Sequence, residues 1–349
     1  MHLSSVEVIP YALPFREPYV TARGSLTRRE MVLLRLRDED GVVGLGEAVP
    51  LSLRGGATLE QVVRELEGWA EHREASGLSA PARCAVETAL MDLNDRRSHN
   101  PKVTTPPEAI PCNATLVAGP PKEVTTAAER WARDGFTTFK LKLGAESAKN
   151  LVEQGISRTR EPDVEQVRAV REALGPEVRI RVDANEAWDL EAARAALKAL
   201  EPLGIELAEQ PVGGLEAMAE LASSTSIPLA ADESVASLEE AKRAVALGAC
   251  AYTGIKLSKV GGAEAALAIA DVLPAYVTSA LDGPVGIAAA ARVAQAIGGE
   301  LAHGLATQRL FASTVASVEC EIHDGMLHLP PGPGFGVEID EDALQAHRL

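Results

Sequence analysis

Between Lys140 and Lys256, five short apolar runs each finish on polar residues able to do chemistry. They are FKLKLG with Lys140 and Lys142, IRVDAN with Asp183 and Asn185, IELAEQP with Glu209 and Gln210, PLAADES with Asp232 and Glu233, and YTGIKLSKVGG with Lys256 and Lys259. The steps from Lys142 to Asp183, Glu209, Asp232 and Lys256 are 41, 26, 23 and 24 residues. A strand, a helix and two short loops need roughly 20–30 residues. Three carboxylates and two lysines therefore recur once per βα unit, each at the C-terminal end of its strand. In a closed barrel those ends meet on one face, where barrel enzymes keep their active sites.

Asp183, Glu209 and Asp232 are three hard oxygen ligands with no His or Cys near them in the sequence, a set that suits Mg²⁺ or Mn²⁺ rather than zinc. Such carboxylates can also cap the next helix or pair with a lysine, but three in successive repeats are hard to explain that way. Asn185 and Glu233, next to these ligands in the chain, read as residues that steady them. Lys140 and Lys142 lie two apart on one strand and point to the same side. Lys256 comes from a strand on the opposite wall. These lysines sit inside apolar runs, where an unpaired ammonium is costly. Burial or a nearby cation lowers a lysine pKa toward the range of a working base. Lys259, past its strand end, reads as a surface residue or as one standing behind the others.

The elements that must position these residues follow from periodicity. VEVIPYALPF and MVLLRLRDEDGVVGLGEAVP read as strands, with DEDG as a hairpin turn. EPYVTARGSLTRRE between them reads as a polar loop. Thr58 is placed to cap the helix LEQVVRELEGWAEHRE, and APARCAVETALMDLNDRRS reads as a second helix. PKVTTPPEAIP is a Pro-rich linker. Strands are then expected at 111–117, 138–143, 179–184, 205–209, 228–232, 252–257, 275–281 and 301–306. Helices are expected at 121–134, 163–174, 189–201, 214–224, 237–248, 261–271 and 284–298. Regular alternation of this kind implies a parallel sheet, and eight strands imply a barrel. The stretch after 315, with a DG turn and a Pro/Gly cluster, breaks the alternation and is expected to return to the N-terminal unit.

The expected fold is α/β: a modified TIM barrel, (β/α)7β, at 106–315, with an α+β cap made by 1–105 and the segment 316–349. The 41-residue step leaves extra chain at 145–162, read as a mobile or protruding loop or an added short helix. Loops 17–25 and 51–57 read as a lid. Ser279, Asp282, Gly283 and Gly286, at the end of the seventh strand, are candidates for substrate binding, though a turn residue there is often only surface.

The totals narrow the partners. The chain has 349 residues and a net charge of −16, which argues against nucleic acid and against an anionic membrane surface. A small carboxylate substrate remains compatible, because local lysines and a metal can dominate one site. Cys84, Cys112, Cys250 and Cys320 are far apart, without CxxC, and read as free thiols. No run reaches the roughly 18 apolar residues of a membrane span, and the opening lacks signal-peptide character, so a cytoplasmic protein is expected.

The set KLK, VDAN, AEQP, ADES and IKLSKVGG, behind a cap of this shape, resembles the enolase superfamily, and within it the muconate lactonising subgroup. That subgroup has a KxK pair on the second strand and a lysine on the sixth. The resemblance covers nearly the whole chain. PCNATLVAG, VDANEAW, AEQPVGGLEAM and TSALDGPVGIAAAARVA are most similar to the branch that dehydrates a cyclohexadiene carboxylate in menaquinone biosynthesis, in its actinobacterial form. N-acylamino acid racemases, dipeptide epimerases and muconate cycloisomerases share the same lysines and carboxylates. Superfamily sites use a Lys or His base with Mg²⁺ to hold an ene-diolate. The resemblance thus implies Mg²⁺ on Asp183, Glu209 and Asp232, Lys142 as base, Lys256 as a cation or second base, and Lys140 tuning Lys142 by like charge. It favours a monomer and leaves a homo-oligomer open. Two readings from other classes are a Schiff-base lyase using Lys256, which gives the carboxylates no role, and a non-catalytic barrel.

Overall fold

The stretch MVLLRL is apolar on both faces of a strand, and both faces are used. In the computed structural model, which describes residues 2–21, 24–50, 55–98, 108–144 and 161–349, it lies in the middle of a three-stranded antiparallel sheet. The strands are β1 (Leu3–Thr21), β2 (Gly24–Asp38) and β3 (Val43–Ala48). Tyr11, Leu13, Met31 and Leu33 join the core shared with the barrel. Val32, Leu34 and Leu36 pack instead with residues of α1 (Leu59–His72) and α2 (Ala80–Ser98). A strand alternates its side chains, so a sheet covered on both sides needs a continuous apolar run. β3 presses directly on α2. A Cβ on Gly46 would stand 2.0 Å from the Ala85 carbonyl, and one on Gly44 would stand 2.4 Å from that of Ala89. The DEDG turn forms as expected, with the Asp38 side chain accepting from the Val42 N–H at 2.8 Å. Thr58 caps α1 through the Gln61 N–H.

The expected polar loop at 17–30 is a correction. β1 and β2 continue as one long hairpin, with Tyr19 opposite Leu26 and Val20 opposite Ser25. Tyr19 is buried and stacks on Phe15, which stacks on Phe311. This aromatic anchoring explains why a polar composition still forms strands. Of the expected lid, 22–23 and 51–54 lie outside the described residues. So do 145–160 of the extra segment and 101–107 of the linker.

The barrel follows. After β4 (Ile110–Pro111) come seven parallel strands: β5 (Ala114–Leu116), β6 (Thr138–Lys142), β7 (Arg179–Asp183), β8 (Ile205–Glu209), β9 (Leu229–Ala231), β10 (Tyr252–Ile255) and β11 (Ala275–Val277). Their neighbours in space are their neighbours in sequence. The helices between and after them are α3 (Pro121–Arg133), α4 (Glu161–Leu174), α5 (Leu190–Leu200), α6 (Leu215–Ala222), α7 (Leu238–Leu247), the single turn α8 (Leu257–Val260), α9 (Ala263–Ala270) and α10 (Pro284–Ile297). The expected eighth strand at 301–306 is reduced to single bridges. His303 pairs with Cys112 and Gly304 with Thr278. The hydrogen bonds Asn113 N–H to His303 O (2.9 Å) and Ser279 N–H to Gly304 O (3.0 Å) link the two edges of the sheet.

Phe139, Leu141, Ile180 and Val182 point outward to the helices. Leu207, Ala230 and Tyr276 form a separate small cluster in the interior, with Tyr252 and Leu301 against it. The C-terminal segment forms β12 (Ala316–Val318), β13 (Glu321–His323), β14 (Met326–His328), β15 (Glu338–Ile339) and α11 (Glu341–His347). It does return as expected, with Tyr11 bridging Arg348 and the Leu349 N–H bonding the Pro10 carbonyl at 3.0 Å, while β14 pairs with β4 at the start of the barrel. All four cysteines are free.

Candidate active site

Parallel register sets the chemistry side by side. Lys142 lies opposite Asp183, and Asp183 opposite Glu209. Glu209 pairs with Ala230, two residues before Asp232. Asp183, Glu209 and Asp232 are all 0–1% exposed. Lys140 Nζ lies 3.1 Å from each Glu209 oxygen and 3.3 Å from Asp183 Oδ2. Lys142 donates to Asp183 and, at 3.0 Å, to Asn185 Oδ1. From the other wall, Lys256 donates to Asp232. Lys259 also reaches Asp232 Oδ1, at 2.9 Å, and so stands behind the cluster rather than at the surface. The lysines and the three carboxylates read from the sequence are thus brought together. Burial opposes the charge on Lys140, but Glu209, Asp183 and Asp232 outweigh it and raise its pKa. Burial likewise opposes the charge on Asp183, but Lys142 and Lys140 outweigh it and hold that carboxyl ionised, below its usual range.

The strand ends are locally strained. Asn185, Glu186, Gln210 and Leu281 all have positive φ, at 48°, 64°, 38° and 66°, a conformation that non-glycine residues adopt only when their surroundings impose it. Asn185 is held by its N–H to Asp183 Oδ1 (3.0 Å) and its Nδ2 to Glu233 Oε1 (3.1 Å). Gln210, quoted in the sequence motif without a role, clamps the next strand end. Its Oε1 accepts from the Asp232 N–H at 2.8 Å and the Ser234 N–H at 3.2 Å. A side chain that fills both donors of the following loop fixes where Asp232 points.

Ser279, Asp282, Gly283 and Gly286 form a joint between cap and barrel. Asp282 Oδ2 accepts from Ser279 Oγ at 2.7 Å and from the Ala280 N–H at 2.6 Å. The Gly283 N–H donates to Glu47 Oε1 at 2.6 Å, and Tyr11 donates to Glu47 Oε2 at 2.8 Å. A Cβ on Gly283 would stand 2.3 Å from the Tyr11 hydroxyl, and one on Gly286 would stand 2.6 Å from Glu47 Oε1. Arg29 closes the joint by donating to the Pro50 and Ala280 carbonyls at 2.8 and 3.1 Å. Burial, with the nearby Asp282 charge, pushes the Glu47 pKa up to about 7. Burial lowers that of Arg29 to about 10.

Sequence reasoning missed Glu47, Tyr11 and Arg29. It also missed Tyr276, whose hydroxyl donates to Glu209 Oε2. The available signal was a Tyr inside a short barrel strand, whose hydroxyl needs a partner when buried. The first three carry no local signal, because the turn that completes their joint lies 236 residues beyond Glu47 and 251 beyond Arg29.

A metal could be held here by Asp183, Glu209 and Asp232. Among the described residues no three His, Cys, Asp or Glu side chains stand as a ready cage; instead, the carboxylate oxygens turn to lysine ammonium groups. Three buried hard-oxygen donors that already gather cations fit Mg²⁺ or Mn²⁺ in chemistry. No helix among the described residues is long and apolar enough to cross a membrane.

Residues 4–104 match the family model "Mandelate racemase / muconate lactonizing enzyme, N-terminal domain", and residues 123–343 match "Enolase C-terminal domain-like". The o-succinylbenzoate synthase of Thermobifida fusca is 33% identical over 87% of this chain and 81% of its own. Muconate cycloisomerase 1 of Acinetobacter baylyi is 27% identical over 99% of this chain and 99% of its own length. The dipeptide epimerase of Cytophaga hutchinsonii, complexed with Mg and D-Ala-L-Val, superposes with a TM-score of 0.88 over 99% of this chain and 98% of its own, at 24% identity. The chain belongs to the enolase superfamily, and it is an enzyme of that superfamily's mandelate racemase and muconate lactonising type.

Proposed function

We propose that the chain is an o-succinylbenzoate synthase: a Mg²⁺-dependent hydro-lyase that dehydrates 2-succinyl-6-hydroxy-2,4-cyclohexadiene-1-carboxylate to 2-succinylbenzoate in menaquinone biosynthesis. The observation that carries the proton-abstracting part of the reading is the pair Lys142 and Lys256. They come from opposite walls and are ion-paired to Asp183 and Asp232 within one buried cluster. The likeness to the Thermobifida fusca enzyme supports the choice of substrate.

Asp183, Glu209 and Asp232 would hold Mg²⁺, or Mn²⁺. When bound, the divalent cation supplies a fixed positive charge against the substrate carboxylate, which lowers the cost of removing the neighbouring proton. Lys142, aimed by Asp183 and Asn185, takes the α-proton at C1, and the electron pair moves into the enediolate. The same ammonium then protonates the hydroxyl leaving C6. The C6–O bond breaks, water departs and the ring becomes aromatic. Lys256 stays an ammonium on the other face and steadies the enediolate. Lys140, kept protonated by its carboxylate partners, places a like charge beside Lys142. Ser279, Asp282, Gly283 and Gly286 would border the substrate on the seventh-strand side, their positions fixed by the joint to Glu47.

A second reading is a racemase or epimerase of N-acylamino acids or dipeptides. The matched pairing of Lys142 with Asp183 and Lys256 with Asp232 favours it, because two equivalent bases would serve two enantiomers. Muconate cycloisomerisation would use the same groups. The deciding experiment is a substrate panel: the cyclohexadiene carboxylate, N-acylamino acids, dipeptides and muconate, each with Mg²⁺ and with EDTA. The proposal expects the cyclohexadiene to turn over fastest, and only with metal. Faster turnover of an N-acylamino acid would replace it with the two-base reading.

A further inference from the structure

The barrel interior below the carboxylates is occupied by a tyrosine on an arginine. Tyr276, on β11, is 0% exposed, and its hydroxyl crosses the interior to donate to Glu209 Oε2 on β8. The Arg181 guanidinium lies 5.0 Å from the centre of its ring. Arg181 is itself fully buried. It is held by Glu206 and by the Ala302 carbonyl, to which it donates at 2.6 Å. Its Nη2 has no hydrogen-bond partner among the described residues. The aromatic face takes that place, as a cation over a ring would. Leu207 and Ala230 pack beside the ring, and Gly254 lies against it: a Cβ there would stand in van der Waals contact, 3.4 Å from Tyr276. The phenol is therefore fixed on every side before it meets Glu209.

We propose that Tyr276 is a positioning residue: its hydroxyl, seated on Arg181, fixes the orientation in which Glu209 presents an oxygen to a divalent cation. This rests on the reading of Glu209 as a metal ligand. Among the partners of Glu209's two oxygens are Lys140 and Tyr276. The lysine is a flexible stem with three rotatable donors. The phenol has a single hydroxyl on a rigid ring and leaves the remaining lone pairs in a set direction. Hydrogen bonds to metal-ligating groups typically carry about 10–100-fold in metal affinity.

The test is Mn²⁺ titration of the metal-stripped protein, followed by the electron paramagnetic resonance of free and bound Mn²⁺. Four proteins are compared: wild type, Tyr276→Phe, Tyr252→Phe and Glu209→Gln. Tyr276→Phe removes one hydroxyl and keeps the interior filled, and Tyr252→Phe removes a phenol from the same interior cluster. The expected result is a Kd about 10–100-fold weaker for Tyr276→Phe, with a changed bound-Mn²⁺ spectrum. Tyr252→Phe should bind as wild type does. If Tyr276→Phe binds like wild type while Glu209→Gln is weakened, the role of Tyr276 is overturned and the metal reading stands. Equal weakening in both tyrosine variants also overturns it, since that would report general loosening. If Glu209→Gln itself binds like wild type, Glu209 is no ligand, and the underlying reading fails with the inference.

Discussion

Replacing Glu47 by Gln should change the way stability depends on pH. Glu47 is 2% exposed and lies in the joint between cap and barrel, where burial and Asp282 raise its pKa from 4.5 to about 7. At 1.36 kcal/mol per pH unit, that rise corresponds to about 3 kcal/mol. The folded protein binds this proton more tightly than the unfolded chain. Its stabilising contribution is therefore complete below about pH 4.5 and is lost as pH rises through about 7. The amide side chain of the variant would be neutral throughout and would keep a carbonyl for the Gly283 N–H. It would also ease the ionisation of Asp282, whose pKa is likewise raised by burial, so both effects favour the variant at high pH. Urea unfolding of the two proteins from about pH 4.5 to about pH 8.5 should show the wild type losing about 3 kcal/mol relative to Glu47→Gln. Groups elsewhere cancel in the difference. Parallel stability curves across that range would refute the reasoning, because they would mean that Glu47 is already ionised in the folded joint at low pH.

Glu209→Gln should abolish most turnover while leaving the circular dichroism spectrum unchanged; full activity in EDTA-treated wild type would count against the metal centre. In D₂O, Lys142→Ala should stop exchange of the substrate α-proton. Lys256→Ala should slow turnover by about 10²–10³, the usual cost of losing one electrostatic stabiliser, as stopped-flow or mass-spectrometric exchange would show. Gly46→Ala should destabilise the cap by at least the roughly 1–3 kcal/mol typical of overpacking. Its Cβ would meet backbone of α2 at 2.0 Å, and urea midpoints give the comparison.

The barrel and its carboxylates were readable because each βα unit repeats one pattern: an apolar run, then a charged residue at its end. Asp183, Glu209 and Asp232 needed only that spacing to be brought to one face. Parallel register supplied the rest, by setting Lys142 beside Asp183 and Asp183 beside Glu209. The eighth strand was over-read, because residues 301–306 carry a strand-like composition yet form a single pair of bridges. The pairing of 19–21 with 24–26, inside the expected loop 17–30, was under-read, because the local chain is polar and its order comes from Tyr19 and Phe15 stacking toward Phe311. Glu47, Tyr11 and Arg29 were invisible for a related reason: an isolated polar residue in a cap strand shows nothing of a partner at the far end of the barrel. Tyr276 showed only that a buried phenol on a barrel strand needs a partner, not that the partner is Glu209.

The joint at Glu47 also sets an order of events during synthesis. The Gly283 N–H that Glu47 accepts is 236 residues further along the chain. At about 5–20 residues per second, a ribosome takes roughly 10–50 s to make that stretch. For that time β1 to β3 have their helices on one face and nothing on the other. Tyr11, Leu13, Met31 and Leu33 remain uncovered until the barrel that buries them has been made. The nascent cap is thus a sticky, half-finished sheet whose last partners arrive late. A chaperone that shields apolar strand faces would have its longest opportunity there.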